Sequence, residues 1–147
     1  MSVSIQPPIV RLLQPRAYAS RQEVIEAIGA VMIDVAAVTP AYVAGMLRKE
    51  HEASTIVTAG VALPHGTADV RDAVLRNVLV VAAIPGGVEW RSGQQVSLAI
   101  GFAGTGDDAH LRLLGSVARV LADDELVSRL KSANQPALLE NLFEIAG

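Results

Sequence analysis

Cysteine is absent from the 147 residues, which excludes disulfides, thiolate zinc sites and covalent catalysis through sulfur on this chain. Aromatic residues make up only 3% and charged residues 18%, with a net charge of −3. The basic residues are scattered, the densest cluster being Arg48-Lys49, so a nucleic-acid backbone meets no continuous basic stripe. No apolar run approaches the roughly 20 residues of a membrane span, and the first ten residues lack a basic stretch followed by an apolar one. The expectation is a soluble, cytoplasmic chain without nucleic-acid partners or direct membrane insertion. A Gly-x-Ser-x-Gly elbow, a Walker lysine loop and a dinucleotide fingerprint are also missing. The glycine-rich stretch from Gly101 to Gly106 has neither the lysine nor the spacing. The spacings of His51, His65 and His110 match no zinc pattern, and Asp69, Asp72, Asp107 and Asp108 read as caps and surface, so neither metal nor cofactor is expected.

What remains is an aliphatic chain, 51% hydrophobic, long enough for one domain over residues 1–147 with its own core. Ile9 to Leu13, bounded by prolines, reads as a strand. Ser20 with Glu23 forms a capping-box pattern ahead of apolar residues at helical spacing up to Val35. Thr39 reads as the cap of a second helix, with Pro40 in its first position and its end near Glu50-His51. Ser54 to Thr58 and Val61 to Leu63 read as extended, and Thr67 to Leu75 as short helix or irregular. Val78 to Ile84 predicts a central strand covered on both faces and stopped by Pro85-Gly86-Gly87. A loop carrying Trp90 follows, then a buried strand from Val96 to Ala103, interrupted by Gly101. Asp107 reads as the cap of a helix bearing Leu111, Leu114, Val117 and Leu121, Asp123 or Asp124 caps another, and Pro136 starts a last one. Two buried strands among helices imply an α/β layered domain.

The stretch Gly60-Val61-Ala62-Leu63-Pro64-His65-Gly66-Thr67 is where chemistry is expected. Pro64 fixes its own φ, Gly66 permits a positive one, and the His65 imidazole is presented on a stiff turn at a strand end. A neutral imidazole attacks phosphorus, and the N–H groups of Gly66 and Thr67 with the Thr67 hydroxyl offer themselves to phosphoryl oxygens. A solvated loop histidine without a task is the alternative reading. His110 falls in the first turn of a helix, where unpaired N–H groups attract anions and disfavour the imidazolium form; a cap residue is the alternative there. His51, between Glu50 and Glu52 at a solvated helix end, has no partners suggesting a function.

Together with Ala109-His110-Leu111 and Leu114, that stretch resembles the enzyme IIA domain of the mannitol and fructose class of the bacterial sugar phosphotransferase system. The likeness runs through most of the chain, including Pro40-Ala41-Tyr42-Val43, Met46-Leu47, Lys49-Glu50, Val88-Glu89-Trp90 and Ile100-Gly101-Phe102-Ala103. It implies a mixed, roughly five-stranded sheet flanked by helices on both sides. It also implies a phosphohistidine carrier that takes a phosphoryl group from the phosphocarrier protein HPr and gives it to the cysteine of a IIB domain. With no cysteine here, that domain stands elsewhere, and a IIC permease is involved only indirectly. His65 matches the phosphorylated position and His110 the second histidine supporting the phosphoryl group. Lys49, flanked by Arg48, stands where mannitol-type members carry arginine, and Ala59 where they carry glutamate; lysine keeps the charge without the bidentate fork. The implied cargo is mannitol or a related polyol, else fructose. The other reading is a regulatory module of the same fold whose phosphorylation state controls a partner protein.

Overall fold

The computed structural model describes residues 8–132. Within them a five-stranded mixed sheet has the order β1-β4-β5-β3-β2, with β1 at Ile9–Leu13, β2 at Ile56–Thr58, β3 at Val61–Ala62, β4 at Val78–Arg91 and β5 at Gln94–Ala103. The β1/β4 and β3/β5 pairs are parallel, and β4/β5 and β2/β3 antiparallel. Side chains of β4 alternate between two cores, as the period of a strand requires. Val78, Val80, Ala82 and Ile84 pack with residues of α1 (Arg21–Asp34) and α2 (Pro40–Glu52). Leu79 and Val81 pack with Leu98, Ile100 and Phe102 and with α3 (Asp108–Leu121) and α4 (Asp124–Lys131). Helices thus cover both faces.

Short polar side chains set the helix starts. Ser20 Oγ accepts from the Glu23 N–H at 3.2 Å, while the Glu23 carboxylate accepts from the Ala19 N–H at 3.3 Å, a capping box displaced by one residue. Asp123 caps α4 through the N–H groups of Glu125 and Leu126. Thr39 occupies the N-cap of α2 as expected, without a side-chain capping bond. Pro40 has no N–H to satisfy, and the Thr39 N–H itself donates to Ala73 O at 2.9 Å.

Two expectations about strands are corrected. Pro85-Gly86-Gly87 does not stop β4, which runs on through Val88-Glu89-Trp90 to Arg91. Gly86 and Gly87 take positive φ, 83° and 73°, and the pairing shifts register between Ala83 and Val88, so the tripeptide is accommodated as an irregularity inside a strand whose Trp90 is buried. Gly101 does not interrupt β5; it pairs with Val80, and a Cβ there would collide with Ile28 Cγ2 of α1. Leu111 lies on the solvent side of α3, 65% exposed, because the buried stripe is Ala109, Leu113, Val117 and Val120. The helix expected from Pro136 lies outside the described residues.

The parallel β3/β5 pair positions the site. Val61 stands opposite Leu98 and Ala62 opposite Ala99, so both strands leave the sheet at the same end, where loops of parallel strands converge. One continues into Leu63-Pro64-His65, the other into Gly104 and on to His110.

Candidate active site

His65 sits on a loop tied down from three sides. Pro64 O accepts from the Phe102 N–H at 2.9 Å, and the Gly66 N–H donates to Tyr42 Oη at 2.9 Å, whose own proton goes to Phe102 O at 2.8 Å. His65 Nδ1 lies 2.8 Å from Leu63 O. A carbonyl only accepts, so Nδ1 carries the proton and Nε2 the free lone pair. Gly66 is not among the glycines of positive φ. Glycine is needed because a Cβ would stand 2.7 Å from Tyr42 Cε1. Its N–H, expected to meet a phosphoryl group, is instead taken by Tyr42, whose phenol burial pushes up to about 12 while that N–H pulls it down.

The Thr67 hydroxyl accepts from Arg48 Nη2 at 3.3 Å and faces Asp69, whose carboxyl is held low first by this hydroxyl and then by Arg48. Arg48 completes the group with an ion pair to Asp69 at 3.1 Å. The Thr67 N–H, by contrast, has no protein acceptor among the described residues.

His110 opens α3, its N–H held by Asp107 Oδ1 at 2.9 Å. The Gly106 N–H donates to His110 Nδ1 at 2.8 Å, so Nδ1 holds the lone pair and the neutral ring carries its proton on Nε2. The ring packs on Phe102 with centroids 5.0 Å apart, and a Cβ on Gly104 would approach its Nδ1 to 2.5 Å. Burial foremost lowers the His110 pKa, Arg71 adding to the effect and Asp107 opposing it, which keeps the ring neutral at pH 7.

These groups surround a cleft of about 390 Å³, lined among others by Lys49, His65, Thr67, Arg71, Phe102 and His110. The structure therefore brings together Lys49, His65, Thr67 and His110, and leaves Arg48 and the exposed His51 outside the lining. Among the described residues, every charged residue in the lining is cationic. Sequence reasoning missed Tyr42 as the prop of the loop and Arg71 altogether; the available signal for Arg71 was a basic residue in the short segment just after the Pro-His-Gly turn, here a 3-10 helix at Ala68–Ala73. Among the described residues, no group of three or more His, Asp or Glu is placed to hold a metal ion, and no helix is long and apolar enough to cross a membrane.

A family model described as "Phosphoenolpyruvate-dependent sugar phosphotransferase system, EIIA 2" matches residues 10–145. A multiphosphoryl transfer protein of Escherichia coli O157:H7 is 42% identical over 123 residues, 84% of this chain and 32% of that protein. The chain thus spans about a third of the length of that relative. A mannitol-specific phosphotransferase enzyme IIA component of Staphylococcus aureus (strain Mu50) is 36% identical over 127 residues, covering 86% of this chain and 87% of the relative. In solved structures, the fold resembles Escherichia coli enzyme IIAMTL in its complex with phosphorylated enzyme IIBMTL. The TM-score is 0.80 and the identity 26%, over 90% of this chain and 93% of that one.

Proposed function

Because the chain belongs to the EIIA 2 family of the phosphoenolpyruvate-dependent sugar phosphotransferase system, we propose that it is a phosphohistidine carrier working through His65 Nε2. The supporting observation is the opposed pair of tautomers beside one cationic cleft. Backbone bonds occupy both Nδ1 atoms and leave a lone pair on His65 Nε2 and a proton on His110 Nε2. In the forward step the lone pair attacks phosphorus, the bond from phosphorus to the donor breaks, and its electron pair returns to the donor. The His110 Nε2–H, the Lys49 ammonium and the Thr67 N–H then meet the phosphoryl oxygens, a case where positioning and electrostatics carry the catalysis. In the second step a cysteine thiolate of the acceptor attacks the same phosphorus and the N–P bond returns its pair to Nε2.

HPr as donor rests on the family reading. A IIB domain of mannitol type as acceptor is supported by the mannitol-specific relative and by the likeness to an enzyme IIA solved together with phosphorylated IIB. Incubation with phosphorylated HPr, followed by mass spectrometry under alkaline conditions that preserve N–P bonds, is expected to find phosphate on His65 alone. Phosphate on His51 or His110 would sink the proposal. Offering the loaded protein to IIB domains of mannitol and fructose type then identifies the acceptor by the faster discharge.

A further inference from the structure

We infer that Arg71 is a phosphate-contact residue of this site, supplying with two guanidinium N–H groups the bidentate hold that a lysine at position 49 does not; the inference rests on the carrier reading. Arg48, Lys49 and Arg71 are the cations near the His65 loop, and their surroundings differ. Arg48 is committed to Asp69 and to the Thr67 hydroxyl and stays out of the lining. Lys49 and Arg71 both line the cleft, and neither has an ion-pair partner among the described residues.

A guanidinium with no ion-pair partner beside a neutral histidine, in a lining that among the described residues holds no carboxylate, is a cost to the unphosphorylated protein: its charge disfavours protonation of His110, an effect that Asp107 opposes from outside the lining. An incoming phosphoryl dianion reverses that balance. The ammonium of Lys49 is a point charge on a flexible stem, whereas a planar guanidinium matches two phosphoryl oxygens at once. With His110 Nε2–H as a third donor, each equatorial oxygen that gains charge during transfer has a partner. The 3-10 helix that carries Arg71 follows the His65 loop directly and is pressed against α2: Val70 packs into the space that a Cβ on Gly45 or Gly66 would need. Arg71 therefore starts from a backbone fixed relative to both His65 and Lys49.

The test titrates the full chain with inorganic phosphate and follows the ring signals of His65 and His110 by NMR, alongside transfer from phosphorylated HPr. Arg71→Met is expected to weaken phosphate binding about tenfold or more, the scale of a hydrogen bond to a charged group. Arg71→Lys should recover part of the loss, and the transfer defect should fall on kcat rather than on KM for HPr. In Arg71→Met the titration of His110 should also move upward. Phosphate shifts absent from the unsubstituted protein, equal phosphate affinity in Arg71→Met, or a defect confined to KM for HPr would each overturn the inference, the last by making Arg71 a docking cation. The phosphate titration needs no donor protein, so failure of HPr to load His65 would strike the carrier proposal and leave the result for Arg71 standing.

Discussion

The two imidazoles of the cleft carry opposite protons because different backbone groups hold them. Leu63 O takes the Nδ1 proton of His65, and the Gly106 N–H fills the Nδ1 lone pair of His110. Nitrogen-15 NMR near neutral pH is therefore expected to show His65 as the Nδ1–H tautomer and His110 as the Nε2–H tautomer; the reverse pair would remove the basis of the mechanism. His110→Ala is expected to slow transfer by roughly 10², as loss of one oxyanion-type donor does, with the melting temperature little changed; an unaltered rate would reduce His110 to a helix cap. Both histidines were legible in the sequence because a turn of Pro-His-Gly and a cap of Asp107 announce their own geometry. Tyr42 was not, since a tyrosine among the apolar positions of a helix reads as packing. Its hydroxyl becomes meaningful only when Gly66 and Phe102, distant in sequence, arrive beside it. Tyr42→Phe strands one donor and one acceptor at the site. Denaturant melts should show a loss of about 1–3 kcal/mol.

At the scale of elements, the end of α2 is joined to the His65 loop by a buried carboxylate. Glu50 is 2% exposed; its oxygens accept from the Thr55 N–H at 3.1 Å and from the Thr55 hydroxyl, and its backbone carbonyl accepts from Arg91 at 2.7 Å. Thr55 O then receives the Leu63 N–H at 2.9 Å, one residue before the turn that presents His65. Glu50→Ala would leave the buried Thr55 N–H without its acceptor, so a loss on the order of 1–3 kcal/mol is expected by denaturant melt, with slower loading of His65 as its anchor loosens. Unchanged stability would show that another group replaces the carboxylate. In the sequence Glu50 sits between Lys49 and His51 and reads as one more charge on a solvated helix end. Its burial follows from the turn of chain between α2 and β2, which no local pattern records. The same distinction separates what was legible in the elements. Helical spacing and caps gave α1, α3 and α4 from local chemistry. The continuation of β4 beyond Pro85-Gly86-Gly87 depends instead on β5 pairing back at Val96, and the exposed side of α3 depends on which residues meet Leu98 and Ile100.

For the molecule as a whole, these titratable groups set a stability profile with two limbs. On the acid side, the His110 pKa lies below its ordinary 6.5, chiefly through burial. The unfolded chain then binds more protons between that lowered value and 6.5, and stability falls as pH drops below about 6.5. Asp69 and Asp107 lie below their ordinary 3.8, held first by the Thr67 hydroxyl and the His110 N–H respectively. Their contribution is present above 3.8 and is lost as pH falls through the lowered values, a second step in the same direction. On the alkaline side the sign reverses: buried Tyr42 keeps its proton to about 12 while the unfolded tyrosine releases its own near 10. The folded state binds more protons in that window, and stability falls by up to about 2–3 kcal/mol as pH rises through it. Melting temperatures should therefore hold a plateau between about 6.5 and 10. His110→Gln should flatten the first acid step while leaving the carboxylate step, and Tyr42→Phe should lower the plateau yet flatten the alkaline limb. The sharp comparison is between the two variants at pH 11 relative to pH 8: Tyr42→Phe should lose less than the unsubstituted protein and His110→Gln about as much. If Tyr42→Phe retains the full alkaline loss, the buried phenol is not its source, and the assignment of the limb to the burial of Tyr42 fails.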